Sequence, residues 1–89
     1  MLERELTVSN RLGLHARATA KLVQALAPFR CAVTLQAKGR EVNAKSIMGV
    51  MLLAAAQGTP VTVRTDGSDE ADAMQAVVDL FESRFDEDA

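Results

Sequence analysis

Leu2, Leu6 and Val8 alternate with Glu3, Glu5 and Thr7, with Arg4 the one discord, and this period-two pattern predicts a half-buried strand. Ser9, Asn10, Arg11, Leu12 and Gly13 read as a loop. From about residue 16 to residue 27 the apolar positions take helical spacing: Ala16, Thr19 or Ala20, Val23, then Leu26 and Ala27, with Leu22 on the flank. Arg17, Lys21 and Gln24 fall on the opposite face, and Pro28 ends the helix because it cannot continue the hydrogen-bond ladder. Val33, Leu35 and Ala37 alternate with Thr34, Gln36 and Lys38 as a second strand. Lys38, Gly39 and Arg40 make a tight connection, with Gly39 free to take positive φ, into a short strand centred on Val42. Ser46 reads as the N-cap of a second helix running to about Ala54, before the breaker at Gln57, Gly58, Thr59 and Pro60. Val61, Val63 and Thr65 form a fourth strand, and Ser68 or Asp69 caps a last helix. The buried stripe of that helix is Ala73, Val77, Leu80 and Phe81, with Met74, Val78 and Phe85 beside it.

The order β-α-β-β-α-β-α predicts the α+β class. Strands apolar on one side only imply a sheet covered on one face. The expected architecture is an open-faced β-sandwich of the split βαβ kind: a four-stranded, mostly antiparallel sheet with three helices on one face.

Composition narrows the chemistry. The chain has 89 residues, enough for one small domain, and carries one cysteine, so no internal disulfide is possible. That cysteine, Cys31, reads as a small core residue, and its isolation fits a reducing, cytoplasmic compartment. One histidine and no CxxC pattern leave no metal site of usual ligand spacing, and nothing in the sequence calls for a cofactor. The charged start lacks a signal peptide's apolar run, and the longest apolar stretch, residues 47–56, is too short to span a membrane. A net charge of −2 with no Trp or Tyr argues against nucleic acid as a partner. Asp86, Glu87 and Asp88 read as a solvated acidic tail.

The chemistry-bearing stretch is Gly13, Leu14, His15, Ala16, Arg17 and Ala18. His15 falls at the start of the first helix, where first-turn N–H groups lack intrahelical partners and the macrodipole adds partial positive charge. Such a position disfavours imidazolium, so a neutral, nucleophilic ring is expected. A phosphate on that ring would meet the backbone donors of Ala16, Arg17 and Ala18, and Arg17 can add a charge-assisted contact. No carboxylate lies in this stretch to act as a general base, so a self-contained hydrolase is not indicated. The residues describe an acceptor that passes a group on.

Two motifs resemble one family. Residues 13–17, Gly-Leu-His-Ala-Arg, and residues 45–51, Lys-Ser-Ile-Met-Gly-Val-Met, are similar to the two signatures of HPr, the histidine-containing phosphocarrier of the bacterial phosphotransferase system. The likeness covers essentially the whole chain, as a single domain over residues 1–89, and includes the carrier of the related nitrogen-regulatory branch. It implies that enzyme I donates a phosphoryl group to Nδ1 of His15, that phospho-His15 passes it to enzyme IIA proteins, and that Arg17 stabilises the phosphate. It implies a monomeric carrier rather than an enzyme, and regulation through phosphorylation of Ser46 by HPr kinase/phosphorylase. The family usually has proline where this chain has Ala18, and alanine restores an N–H that a phosphate or water can use.

Ile47, Met48, Met51 and Leu52 are too many large apolar residues for one buried stripe on a short helix. Val50 and Leu53 are expected in the core, and Ile47, Met48 and Met51 in a docking patch beside His15. A phosphate on Ser46, next to Lys45, would leave the helix intact and oppose docking at that rim. Two other classes compete with the carrier: a non-transferring regulatory protein on the same fold, which the pairing of His15 with Arg17 opposes, and an unrelated split βαβ module for RNA or small ligands, which the acidic balance opposes.

Overall fold

The computed structural model describes residues 1–87. It contains β1 (Leu2–Thr7), α1 (Ala16–Leu26), β2 (Ala32–Ala37), β3 (Arg40–Asn43), α2 (Ile47–Leu52), β4 (Pro60–Asp66) and α3 (Glu70–Glu82), followed by a short terminal turn, Arg84–Asp86. The four strands lie in the order β1-β4-β2-β3, and every neighbouring pair is antiparallel. β4 inserts between β1 and β2, which is the split βαβ arrangement expected from the element order.

Register follows from the alternation. Leu35 faces Val63 across β2 and β4, and Leu6 faces Val61 across β1 and β4. Val33, Leu35, Ala37, Val61, Val63 and Thr65 are all buried on the helix-covered side. A one-residue slip would turn this whole set to solvent, so the pairing is strongly specified. β1 is an edge strand, and there the alternation promises more burial than it receives: Leu2 stays exposed, Leu6 is half-buried, and Val8 just beyond the strand is fully buried.

The helices confirm the predicted elements and correct details. α1 buries Ala18, Thr19, Leu22 and Leu26 rather than a stripe through Ala16 and Val23; Ala16 is exposed. Small alanines all round this helix permit several stripes, and the bulk of Leu22 and Leu26, one turn apart, selects the one used. α2 ends at Leu52, short of Ala54, because Leu53 and Ala54 bond to Val50 and Met51 in tight i−3 fashion and Ala54 takes φ +49°. Asp69 occupies the N-cap position of α3 but makes no capping bond there. Its carboxylate instead accepts from the N–H groups of Arg30 (2.8 Å) and Cys31 (2.9 Å), tying the start of α3 to the segment entering β2. Cys31 is buried as expected, and burial pushes its thiol up.

Candidate functional site

The approach to α1 is fixed by its neighbours before any chemistry enters. The Leu14 N–H donates to the Ala55 carbonyl (2.9 Å), and the Thr19 hydroxyl donates to the Leu14 carbonyl (3.2 Å). Gly13 sits at φ +67°, and a Cβ there would lie 2.5 Å from the same Ala55 oxygen. Only glycine allows this approach.

His15 is the N-cap of α1, with extended backbone (φ −75°, ψ −179°), and its carbonyl accepts the first helical bond from Thr19. Its Nδ1 accepts from the Arg17 N–H at 3.2 Å. Its Nε2 lies 2.6 Å from Oε2 of Glu87. An amide N–H can only donate, so Nδ1 carries the lone pair and Nε2–H donates to the carboxylate. The N–H groups of Ala16 and Ala18 have no acceptor among the described residues. The Ala18 side chain itself is fully buried.

Glu87 is the correction to the solvated tail. Its side chain is only 15 % exposed, and its second oxygen accepts from Asn10 Nδ2 (3.2 Å). Burial pushes this carboxyl up, but the hydrogen bonds from His15 and Asn10 outweigh it and hold the group below its ordinary value. Asp86 does remain exposed, 3.9 Å from Lys21, and Asp88 lies outside the described residues. The turn over Arg84–Asp86 folds back because Phe85 is fully buried against Phe81, ring centroids 5.2 Å apart, and Lys21 Nζ donates to the Phe85 carbonyl (2.6 Å). Sequence reasoning missed Asn10 and Glu87. The available signal was Phe85 itself, a large apolar residue placed after the helix and just ahead of the acid.

Arg17 is exposed, and among the described residues its guanidinium makes no hydrogen bond or ion pair. It lines an open depression together with His15, Arg11, Leu12, Lys21 and Glu87. Ser46 is the N-cap of α2, its Oγ accepting from the Gly49 N–H at 3.1 Å. Lys45 does not turn towards Ser46: its ammonium donates to the Phe29 carbonyl. Val50 and Leu53 are buried, while Ile47, Met48, Met51 and Leu52 are exposed on α2, which packs against α1. Leu12, 68 % exposed, adds an apolar side chain to the depression that holds His15 and was not singled out from the sequence. Among the described residues no cluster of three or more metal-ligating side chains occurs, and no helix is long and apolar enough to cross a membrane.

Fold and site define a class: a small open-faced sandwich that presents one histidine at the start of a helix, beside an arginine whose guanidinium has no partner among the described residues. A family model described as the PTS HPr component phosphorylation site matches residues 2–83. The phosphocarrier protein HPr of Xylella fastidiosa is 70 % identical over 88 residues, covering 99 % of both chains. A crystal structure of HPr from Thermoanaerobacter tengcongensis superposes with a TM-score of 0.96 at 42 % identity, covering 100 % of both chains. A second structure from that organism, described as an HPr dimer, gives 0.78 at 42 % identity over 98 % of this chain and 100 % of that one. The chain belongs to the HPr family of phosphotransferase-system phosphocarriers, carrier proteins rather than stand-alone enzymes.

Proposed function

We propose that His15 is the residue that carries the phosphoryl group, on Nδ1, taking it from enzyme I and giving it to enzyme IIA proteins. The observation that supports this most directly is the tautomer: with Nε2–H committed to Glu87, the Nδ1 lone pair is the nucleophile, and it meets the Arg17 N–H at the helix start. As Nδ1 takes up phosphorus, the Arg17 N–H exchanges the ring nitrogen for a phosphate oxygen, joined by the N–H groups of Ala16 and Ala18. The Arg17 guanidinium closes on the same oxygens. Charge stabilisation and positioning suffice, because the lone pair is already in place and no proton has to leave the attacking atom.

The exposed apolar surface of Ile47, Met48 and Met51 on α2 is the docking patch for both partners, where flexible methionines suit more than one surface. A phosphate placed on Ser46 by HPr kinase/phosphorylase would sit at the start of α2 and oppose docking by charge and desolvation. The Lys45 ammonium is engaged by the Phe29 carbonyl rather than by Ser46, so the added charge is felt by the partner. The protein works in the cytoplasm as a single-domain monomer; equilibrium sedimentation tests the monomer against the dimer described for the Thermoanaerobacter relative.

Incubation with enzyme I and phosphoenolpyruvate tests the central reading. The expected result is an acid-labile phosphate on His15, absent from His15→Ala. Label retained in His15→Ala, or no label on the wild-type protein, overturns it.

A further inference from the structure

The carboxylate of Glu87 reaches the ring through a conformation that a free tail would not adopt. Arg84, Phe85 and Asp86 take φ of +55°, +54° and +62° in succession, and none is glycine. Left-handed backbone at one ordinary residue is uncommon, and three in a row persist only where surrounding contacts over-determine them. Here those contacts are the burial of Phe85, the Lys21 bond to its carbonyl, and the turn bonds from Asp86 N–H to Ser83 and Glu87 N–H to Arg84 (both 3.0 Å). At the far end, Asn10 is fully buried, donates to the Gly13 carbonyl (2.7 Å) and to Oε1 of Glu87, and so fixes the carboxylate from the other side. One oxygen of Glu87 is held by the scaffold and the other by the reactive ring.

We propose that Glu87 is a positioning residue for the histidine: its carboxylate holds the ring with Nδ1 unprotonated and stabilises the positive charge that the ring gains on taking up a phosphoryl group. The proposal rests on the carrier reading of His15. In the uptake step the Nδ1 lone pair forms the bond to phosphorus while the donor's bond to phosphorus breaks, its electron pair leaving with the donor. The proton on Nε2 stays where it is, within the hydrogen bond to Glu87, and the ring becomes formally cationic. A hydrogen bond that is neutral-to-charged before the step becomes a contact between opposite charges after it. The phosphoryl group grows from the opposite ring nitrogen, facing the helix start and not the carboxylate. Donation runs the same events in reverse, so the contact that favours uptake restrains release. Glu87 thereby sets how the phosphoryl group partitions between donor and carrier, in addition to orienting the acceptor.

Two variants separate orientation from charge. Glu87→Gln keeps an acceptor oxygen for Nε2–H and removes the charge; Glu87→Ala removes both. Each is first melted beside the wild type to verify that it folds. Ring ¹⁵N shifts of His15 then report the tautomer, and labelled phosphoenolpyruvate with enzyme I reports the uptake equilibrium. The wild type and Glu87→Gln are expected to show a lone-pair Nδ1 and a protonated Nε2, whereas Glu87→Ala shows shifts averaged between the two forms. The equilibrium constant for uptake is expected to fall about five- to tenfold in Glu87→Gln, the difference between a charged and a neutral acceptor. A merely structural role would leave that equilibrium constant unchanged in a folded Glu87→Gln. If the wild type takes up label and Glu87→Gln matches its equilibrium constant, the proposal is overturned while the carrier reading stands. If the wild type takes up no label, the carrier reading fails first.

Discussion

Gly13→Ala isolates the close approach on which the histidine's position depends. At φ +67° an added Cβ costs about 1–2 kcal/mol from left-handed backbone alone. That Cβ would also sit 2.5 Å from the Ala55 oxygen and 2.9 Å from Ala56 Cα, both backbone atoms that cannot swing aside. The same Ala55 oxygen accepts the Leu14 N–H, so relieving the clash breaks that bond and leaves the donor of a buried residue unpaired. An unsatisfied buried group costs about 1–3 kcal/mol. The sum is about 2–5 kcal/mol, which in a domain of this size lowers the melting temperature by roughly 10–40 °C. Gly39 supplies the internal control. Its φ is +74°, but a Cβ there would meet nothing within 4 Å. Gly39→Ala carries the backbone cost without the clash, and the stiffer unfolded chain offsets part of it, so a loss of about 1 kcal/mol or less is expected. Thermal melts of the two variants beside the wild type provide the measurement. Equal losses in both would refute the reasoning, since the contact with Ala55 would then cost nothing.

Other consequences follow from the tie between α3 and β2 and from the cap of α2. Hydrogen bonds from the N–H groups of Arg30 and Cys31 hold the Asp69 carboxyl below its ordinary value. A depressed folded value means that this contribution to stability is complete above the unfolded value of about 4 and is lost as pH falls through the folded one. Urea midpoints of Asp69→Asn should therefore lie below wild type at neutral pH and converge with it in strong acid; a gap that persists there would exclude this linkage. Ser46→Ala removes the cap bond from Gly49 and should cost about 1 kcal/mol, or about 4–8 °C in melting temperature, with uptake of phosphate on His15 unaffected.

Elements and site were legible in the sequence to different depths. The strands were legible because alternation is a local pattern: Val33, Leu35 and Ala37, or Val61, Val63 and Thr65, show their buried side without reference to anything else. His15 as an N-cap was legible for the same reason, since the apolar period changes just after it. The face of α1 was not, because five small or medium apolar residues accompany Leu22 and Leu26 and only packing against the sheet and α3 decides between them. The cap of α3 was expected at Ser68 or Asp69; Asp69 takes the position, but its carboxylate bonds to N–H groups 38 and 39 residues earlier in the chain. Glu87 was the largest loss. Its contact with His15 spans 72 residues and depends on backbone angles that propensities disfavour. Local rules described Glu87 as tail because local energetics alone would make it one.

That conflict between local cost and tertiary contact bears on how the site works. Three left-handed residues cost together about 3–6 kcal/mol. Burying Phe85 contributes about 3 kcal/mol, and the Lys21 bond to its carbonyl about 1. The charge-assisted bond from His15 to Glu87 adds about 1.5–3. With the other oxygen of Glu87 held by Asn10 as well, these contacts outweigh the backbone cost by only a few kcal/mol, and the bond to the histidine is a substantial share of them. On the proposed function, a partner that competes for the His15 ring, or covers Leu12 and Arg17, sets its own contacts against that bond. The core beneath keeps Phe85, β4 and the start of α1 in place meanwhile, because their burial does not depend on the turn's last residue. A rigid sandwich with one latched carboxylate gives the histidine a fixed backbone and a charged partner, which suits the carrier role proposed for His15.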